Sequence, residues 1–227
     1  MLILAIDTAL ENCAVALLDT DSSTILASEA QAMSRGHAEA LMPMIARVMD
    51  AGKTDFFALD RIAVTTGPGS FTGLRVGISA ARGIGLAANK PVVGVTTLSA
   101  YSALIVAASN DAPIVAAIDA RHDNVYFQAV SGNGAMLIRP RCAPIDEALR
   151  TTRFGAAHLV GNAAQILADR WPDDMPQPLS VTPDKAPDIN LVAWLGAAAT
   201  VGKAPAKPFY LKAPDAKIPE SAALPHQ

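Results

Sequence analysis

Apolar runs and helical stripes alternate along the chain, and together they predict an α/β fold. An apolar strand ends at Asp7, and a polar turn and two further apolar segments follow it, which predicts a three-stranded meander. Apolar residues at helical spacing then predict a helix over 39–51 that starts late or is kinked at Pro43 and ends at Gly52. The pattern continues with a strand at 61–66, a helix at 72–88, a strand at 91–96 and a helix at 98–108.

The second half of the chain repeats this opening. The segments LAIDTALENCAVAL and AAIDARHDNVYFQA align at a constant offset, so that Asp7 corresponds to Asp119. We favour duplication over two unrelated hairpins, because the order of elements matches as well as the residues. After the second meander the sequence predicts a helix at 144–150, a strand at 158–161 and helices at 163–171 and 189–201.

The repeat divides the chain into two similar lobes, an N-terminal lobe at 1–110 and a C-terminal lobe at 111–227. Prolines concentrated near the end predict an extended tail. Three residues of the tail are expected to dock on the body, Phe209, Tyr210 and Leu211. Disorder is expected beyond Pro219.

Composition favours a globular protein of the cytoplasm. Hydrophobic residues make up 51% of the chain, charged residues 17%, and the net charge is −3, which excludes the strongly basic surface of a protein that binds nucleic acid unaided. Two cysteines exclude a disulfide framework. Residues 91–110 are uncharged, but their proline, glycine, threonines and serines favour a strand, a turn and a helix over a membrane span. The first residues lack the basic segment of a signal peptide.

The stretch VTTGPGSFTGLR at 64–75 joins a predicted strand to a helix through three glycines. Glycine ahead of a helix N-terminus is typical of phosphate-binding loops, because free backbone N–H groups and the helix dipole point the same way. However, Gly73 is followed by Leu74 and Arg75 rather than by the Lys and Ser/Thr of a P-loop, and the spacing does not match the dinucleotide fingerprint. Phosphate binding is therefore left open by the loop alone.

The helix after this loop carries small residues at every fourth position, namely Gly73, Gly77, Ala81 and Gly85. Each interior glycine costs about 0.8–1 kcal/mol relative to alanine, so close packing must offset the cost. A face without side chains lets another backbone approach closely. It packs either on the chain's own sheet or against another subunit, and the adjoining stripe of Arg75, Ser79 and Arg82 offers a second surface for a subunit contact.

Candidate chemistry is otherwise sparse. The four histidines form no H-x-x-x-H pair, and no Ser-His-Asp or Cys-His arrangement follows from the spacing, so no catalytic or metal-binding residue is assigned. His37 lies near the start of the first helix, where a surface role is favoured over a catalytic one.

Duplicated lobes that open with a strand, an Asp, a turn and a strand resemble the actin-like ATPase superfamily of sugar kinases, Hsp70 and actin. That resemblance implies that the two hairpins hold nucleotide phosphates, usually through a D-x-G-x-T turn. Here the turns are DTALEN and DARHDN, and neither contains glycine. Asp7, Thr8 and Asp119 are the candidates for a nucleotide contact.

Six segments together resemble the bacterial TsaB (YeaZ) family: AIDTALENCAVALLD, SRGHAEALMPMI, VTTGPGSFTGLRVGISAARGIGLA, PVVGVTTLSAYS, AAIDARHDNVYFQAV and FYLKAPDAK. The resemblance implies a cytoplasmic, non-catalytic partner of the related TsaD subunit, which carries the metal and the catalytic site. TsaD transfers threonylcarbamoyl to tRNAs that read codons beginning with A, and the TsaE ATPase is a further partner. An actin-like ATPase or small-molecule kinase using Asp7 and Asp119 is the alternative, and a peptidase is the third.

The resemblance also implies that the first-lobe helices pair with those of TsaD, or with a second copy in a homodimer. Carried onto this chain, the partner interface comprises His37, Leu41, Phe71, Gly73, Arg75, Gly77, Ala81, Arg82 and Gly85. tRNA is then reached through the complex. The resemblance thus implies that the chain has no cofactor of its own. ATP or ADP, where bound, is expected to lie at the subunit interface.

Overall fold

The structure is a computed structural model that describes residues 1–108 and 111–212. The disorder expected beyond Pro219 lies outside these residues. Two five-stranded mixed sheets form two lobes, and each has helices packed against it. Within the described residues, no helix combines the length and the apolar character needed to cross a membrane.

The first lobe is built on one sheet with the order β3-β2-β1-β4-β5. Its strands are β1 (Leu2–Asp7), β2 (Asn12–Asp19), β3 (Thr24–Ala32), β4 (Arg61–Gly67) and β5 (Val92–Thr96). The first three form the predicted antiparallel meander, whereas β4 pairs parallel with β1 and β5 pairs parallel with β4. This order follows from the crossover helices, because parallel neighbours need a connection longer than a hairpin.

Three helices belong to this part of the chain: α1 (His37–Ala51), α2 (Phe71–Ala88) and α3 (Thr97–Val106). Helix α1 begins at His37 and includes Pro43, so the expected late start is wrong. Helices α1 and α2 bury their apolar faces against one side of the sheet, where Leu41, Ile45 and Leu74 meet Leu4 and Ile6. Helix α3 packs between the lobes, against the strand Ile114–Asp119 of the second sheet.

The second lobe repeats the strand order of the first. Its strands are β6 (Ile114–Asp119), β7 (Asn124–Val130), β8 (Met136–Pro144), β9 (His158–Val160) and β10 (Ser180–Thr182), in the order β10-β9-β6-β7-β8. Strands β6 to β8 form the antiparallel meander, and β9 and β10 extend it in parallel. The expected fold class, two similar α/β lobes that each open with a three-stranded meander, is confirmed.

The helices of the second lobe are shorter than predicted. They are α4 (Ile145–Leu149), followed by a 3-10 turn (Arg150–Phe154), and α5 (Ala164–Ala168). Helix α5 was expected to extend to 171, but a turn ends it before Trp171 and Pro172. Strand β10 was not predicted at all.

The last helix of the described residues, α6 (Ile189–Ala198), packs on the first lobe rather than on the second. Its buried residues Ile189, Val192 and Ala193 contact the side of the first sheet opposite α1 and α2. Helix α6 thus covers the open face of the N-terminal sheet. That face would otherwise expose Ile3 and other core residues to water.

The chain after α6, called here the C-terminal segment (199–212), also docks on the first lobe. Gly94 N–H donates to the carbonyl of Ala204 at 2.9 Å, and Phe209 N–H donates to the carbonyl of Thr66 at 2.7 Å. Leu211 packs among apolar residues between the lobes. Phe209 and Leu211, two of the three residues expected to dock, thus contact the body of the protein.

Candidate functional site

A polar cleft of about 530 Å³ lies between the two lobes, where the actin-like resemblance places a nucleotide. The turn between β1 and β2 and the starts of α1 and α2 line one wall, and the turn after β6 lines the other. Polar side chains on the two walls are those of Glu11, Ser34, His37, Ser70, Asp119, Arg121 and Asn162. Whether the cleft fits a nucleotide depends on what the two hairpin turns present to it.

Asp7 ends β1 but does not line this cleft, because its side chain is fully buried. Its Oδ1 accepts hydrogen bonds from the Thr65 hydroxyl at 2.6 Å and from Ala9 N–H at 2.9 Å. Its Oδ2 is buried without a hydrogen-bond partner among the described residues. Burial raises the pKa of Asp7, and the two hydrogen bonds oppose that rise. The carboxyl group thus ties β1 to β4 inside the lobe.

The rest of the first turn is covered by the glycine loop that precedes α2. The buried Thr8 hydroxyl donates to the carbonyl of Gly73 at 2.7 Å. Ser70 N–H donates to the carbonyl of Ala9 at 2.7 Å, and a side chain at Gly69 would collide with the same carbonyl. The loop therefore lies directly against the backbone of the first hairpin turn. The side chains of Asp7 and Thr8 are both buried and hydrogen-bonded within the lobe, and a nucleotide contact at these residues stays a prediction.

Asp119 ends β6 at the corresponding position, but it is exposed and lines the cleft. Its Oδ1 accepts from Arg121 N–H at 2.7 Å, and its own N–H donates to Oδ1 of Asn162 at 2.8 Å. The next residues, Arg121, His122 and Asp123, have φ values of 61°, 51° and 61°, a left-handed run that is uncommon without glycine. This turn stays open to the cleft and contains no glycine.

The glycine loop and α2 are held by close backbone contacts with the first sheet. The side chain of Ser70 caps α2 by accepting from Gly73 N–H at 3.3 Å. A side chain at Gly77 would collide with the Thr8 hydroxyl, and one at Gly85 would collide with Val92. The small-residue face therefore packs on the chain's own sheet, the first of the two alternatives above.

Six of the predicted interface residues are largely buried, His37 and Leu41 on α1 and Gly73, Gly77, Ala81 and Gly85 on α2. The glycines of α2 pack on the first sheet, and a partner contact at these six residues stays a prediction. His37 borders the cleft, with Nε2 at 3.2 Å from the carbonyl oxygen of Leu10.

The exposed sides of α1 and α2 enclose a second depression, which is apolar and is called here the α1–α2 groove. It has two parts of about 530 Å³ and 380 Å³, which share Met42 and Ala80 in their walls. Its lining includes Met42, Phe56, Phe57, Phe71, Arg75, Val76, Ile84 and Ala87. Of the predicted interface residues, Leu41, Phe71 and Arg75 line the groove, and Arg82 is exposed on α2 beside it.

Sequence reasoning missed two strongly exposed apolar residues in this part of the first lobe. Phe57 is 73% exposed in the loop after α1, and Leu86 is 86% exposed on α2. Leu86 lies outside the four-residue stripe of glycines that drew attention to α2. A signal was available in the helical spacing of α2, because Leu86 falls on the side opposite the buried face.

Within the described part of the chain, no group of three or more His, Cys, Asp and Glu residues is placed to hold a metal ion. The thiol of Cys13 is buried, and desolvation raises its pKa to about 11, so this cysteine is present as the thiol at neutral pH.

Comparisons with known proteins bear on both the sequence and the fold. The family model described as TsaD, tRNA N6-adenosine threonylcarbamoyltransferase, matches residues 24–168. The tRNA threonylcarbamoyladenosine biosynthesis protein TsaB of Haemophilus influenzae is 38% identical over 128 residues, covering 56% of this chain and 53% of that protein. The TsaB protein of Escherichia coli K12 is 36% identical over 127 residues, covering 56% and 54%. The chain thus spans about half the length of these curated relatives.

Longer matches extend over nearly the whole chain. An uncharacterised protein of Mycobacterium tuberculosis is 32% identical over 219 residues, covering 95% of this chain and 93% of that protein. The solved structure named YeaZ from Pseudomonas aeruginosa superimposes with a TM-score of 0.74 at 27% identity, covering 92% of this chain and 99% of that one. Both lobes therefore have counterparts in a solved structure.

Proposed function

The chain belongs to the TsaB (YeaZ) family, and we propose that it is the non-catalytic partner of a TsaD-type subunit in the synthesis of threonylcarbamoyladenosine on tRNA. The reaction is taken from the names of the relatives. The TsaB proteins are called tRNA threonylcarbamoyladenosine biosynthesis proteins, and the TsaD family model is described as a tRNA N6-adenosine threonylcarbamoyltransferase. The observation that carries the proposed role is the exposed α1–α2 groove.

The groove has the physical character of a protein-binding surface. Large apolar side chains stand in water there, among them Met42, Phe57 and Phe71. Contiguous apolar patches of this kind are rare on monomers unless they bind something, because each buried Å² of apolar area contributes about 25 cal/mol. Helix α2 has 18 residues and is about 27 Å long, which is long enough for one side of a standard interface.

A TsaD-type subunit is the occupant that the family relationship favours. The TsaD family model covers residues 24–168, which include α1 and α2, so such a subunit carries equivalent helices. Related surfaces can pair across a pseudo-twofold axis, as identical ones do in homodimers. A second copy of this chain is the competing occupant of the same groove.

In this proposal, nucleotide and tRNA are bound by the assembled complex rather than by this chain alone. The first hairpin turn is covered by the chain's own loop, so this chain by itself lacks half of the phosphate-binding arrangement of actin-like ATPases. We therefore assign ATP or ADP to the assembled subunits and to a TsaE-type ATPase. The net charge of −3 likewise favours tRNA contact through the partner.

The test is to mix the purified chain with the TsaD-type subunit of the same organism and measure molar mass by size-exclusion chromatography with light scattering. A heterodimer is expected, and threonylcarbamoyladenosine in tRNA, measured by mass spectrometry, should fall when the protein is depleted. Failure to form a complex, together with normal modification in depleted cells, would refute the proposal.

A further inference from the structure

Tyr210 of the C-terminal segment lies against the N-terminal end of α2, at one end of the α1–α2 groove. Its ring stacks on Phe71 with centroids 5.5 Å apart and an interplanar angle of 26°. Its hydroxyl oxygen accepts a hydrogen bond from Nε of Arg75 at 3.3 Å. The guanidinium of Arg75 lies 3.8 Å from the centroid of Phe71. Three side chains that line or border the groove thus form one cluster, although Tyr210 is far from the others in sequence.

The backbone on both sides of this cluster is fixed. Residue 209 is hydrogen-bonded to the end of β4 through Thr66, and the chain at Ala204 is hydrogen-bonded to β5 through Gly94. Ser70 caps the first turn of α2, which carries Phe71. The two rings of the aromatic stack are therefore held by two separate elements, α2 and the C-terminal segment. Tyr210 contacts the side chain of Arg75 although it does not belong to α2.

The cluster nevertheless remains open to water. Phe71 is 51% exposed and Tyr210 is 49% exposed. A stack that served only to anchor the C-terminal segment would gain more by burying these rings, because stabilisation scales with the apolar area removed from water. Arg, Tyr and Trp, packed around apolar contacts, are the residue types enriched among interface hot spots.

The charge of the surface indicates what it would bind. Arg75 and Arg82 lie two turns apart on α2, about 10 Å along the helix. Among the described residues, neither has a carboxylate within ion-pair distance. A guanidinium that is stacked on an aromatic ring keeps N–H donors in its plane for a carboxylate. A complementary partner therefore presents apolar side chains flanked by acidic ones.

We propose that Tyr210 is a specificity-determining residue of the docking surface, which holds Arg75 in position to pair with a carboxylate of the partner. The partner interface is then a composite of α1, α2 and the C-terminal segment rather than a surface of the two helices alone. This inference rests on the proposed function, because the partner that it names is the TsaD-type subunit.

The experiment compares three variants of the full chain for binding to that subunit by isothermal titration calorimetry at several salt concentrations. Tyr210→Ala removes the ring and the acceptor, and Tyr210→Phe keeps the ring alone. Trp194→Ala is the matched control, because Trp194 is an exposed aromatic residue on α6, which covers the opposite side of the sheet.

Tyr210→Ala is expected to weaken binding about tenfold or more, Tyr210→Phe by a smaller factor, and Trp194→Ala not measurably. The affinity of Tyr210→Ala should also depend less steeply on salt, because Arg75 is no longer held for its ion pair. A purely structural role would lower thermal stability without changing the salt dependence.

The possible results separate the two proposals. If the wild-type chain does not bind the subunit, the proposed function and this inference both fail. If the wild type binds and both Tyr210 variants bind equally well with the same salt dependence, only this inference is refuted. If Tyr210→Ala does not fold, Tyr210→Phe and Arg75→Gln decide the question, because both retain the aromatic stack.

Discussion

Asp7 and Asp119 end corresponding strands of the two repeated lobes, yet one carboxyl is fully buried and the other lies open to the cleft. The difference arises from the loop that follows β4. In the first lobe this loop places Gly69 and Ser70 directly on the turn after Asp7. In the second lobe β9 is followed by Asn162, whose side chain accepts from Asp119 N–H and leaves the turn exposed. Duplicated strands have thus acquired different environments through their loops.

The buried carboxyl makes stability depend on pH. Because burial raises the folded-state pKa of Asp7 above its unfolded value of about 3.9, this group adds stability below that pH. The contribution is lost as pH rises through the folded-state pKa. The Asp7→Asn variant cannot ionise at this position. As the pH rises, its free energy of unfolding should therefore fall less than that of the wild type, by about 1.4 kcal/mol for each unit by which the folded-state pKa of Asp7 is raised.

Urea denaturation from about pH 4 to pH 8 measures this difference. Asp119→Asn is the matched control for the substitution itself, because it changes the corresponding exposed position. Parallel stability profiles of wild type and Asp7→Asn would show that Asp7 is ionised throughout this range and would contradict the prediction.

The glycines of α2 should differ sharply in their tolerance of a methyl group. A Cβ at Gly77 collides with the Thr8 hydroxyl and disturbs its hydrogen bond to Gly73, whereas a Cβ at Gly83 meets nothing within 4 Å. We expect Gly77→Ala to destabilise the fold by about 1–3 kcal/mol. Gly83→Ala should stabilise it by about 0.5–1 kcal/mol through helix propensity.

Thermal and chemical unfolding of the two alanine variants measure this contrast within a single helix. Equal effects of the two substitutions would mean that α2 does not rest on Thr8 as described. Neither result depends on a partner, so the experiment tests the packing of α2 alone.

Arg61 should anchor α6 to the first lobe. Its Nη1 atom donates to the carbonyls of Gly196, Ala197 and Ala199, at 2.8, 3.0 and 2.7 Å. Carbonyls at a helix C-terminus lack partners within the helix, and a cation is favoured there by the helix dipole. Arg61→Met should therefore destabilise the protein by about 1–3 kcal/mol and loosen α6 in particular.

Hydrogen exchange across residues 189–198 locates this effect, and urea denaturation gives its size. Arg47→Met is the control, because the ion pair of Arg47 with Glu29 is on the surface, where such pairs contribute at most about 1 kcal/mol. Unchanged exchange in α6 would show that the apolar contacts of this helix hold it without the arginine.

The sequence predicts the meanders well because each combines a local signal with a repeat. Alternating apolar strands, an Asp and a polar turn occur twice at one offset, so the evidence for each copy strengthens that for the other. By contrast, β10 has three residues, all partly exposed, and exists as a strand through its pairing with β9. No local pattern indicates such a strand.

The packing partners of helices were harder to predict than the helices themselves. The run INLVAWLGAA is apolar on nearly every side, so its sequence predicts a buried helix but not the sheet that covers it. The small-residue face of α2 presented the same difficulty. Close packing on a sheet of the same chain and close packing against a helix of another chain both favour glycine, so the sequence does not distinguish them. Only the tertiary structure showed that Gly77 lies against Thr8 and Val64.

The groove, rather than the glycine face, is where a charged substitution should abolish assembly. Phe57 is 73% exposed and lines the groove, so Phe57→Glu removes little packing from the folded monomer. At a buried interface, however, the carboxylate would be desolvated among apolar side chains, which costs several kcal/mol unless a cation pairs with it. We expect the unfolding free energy of the variant to stay within about 0.5 kcal/mol of the wild-type value. We also expect the variant to form no detectable complex with the partner. Trp194→Glu, on the opposite side of the sheet, should assemble normally in the same size-exclusion experiment. Assembly of Phe57→Glu with wild-type affinity would place the partner elsewhere on the molecule.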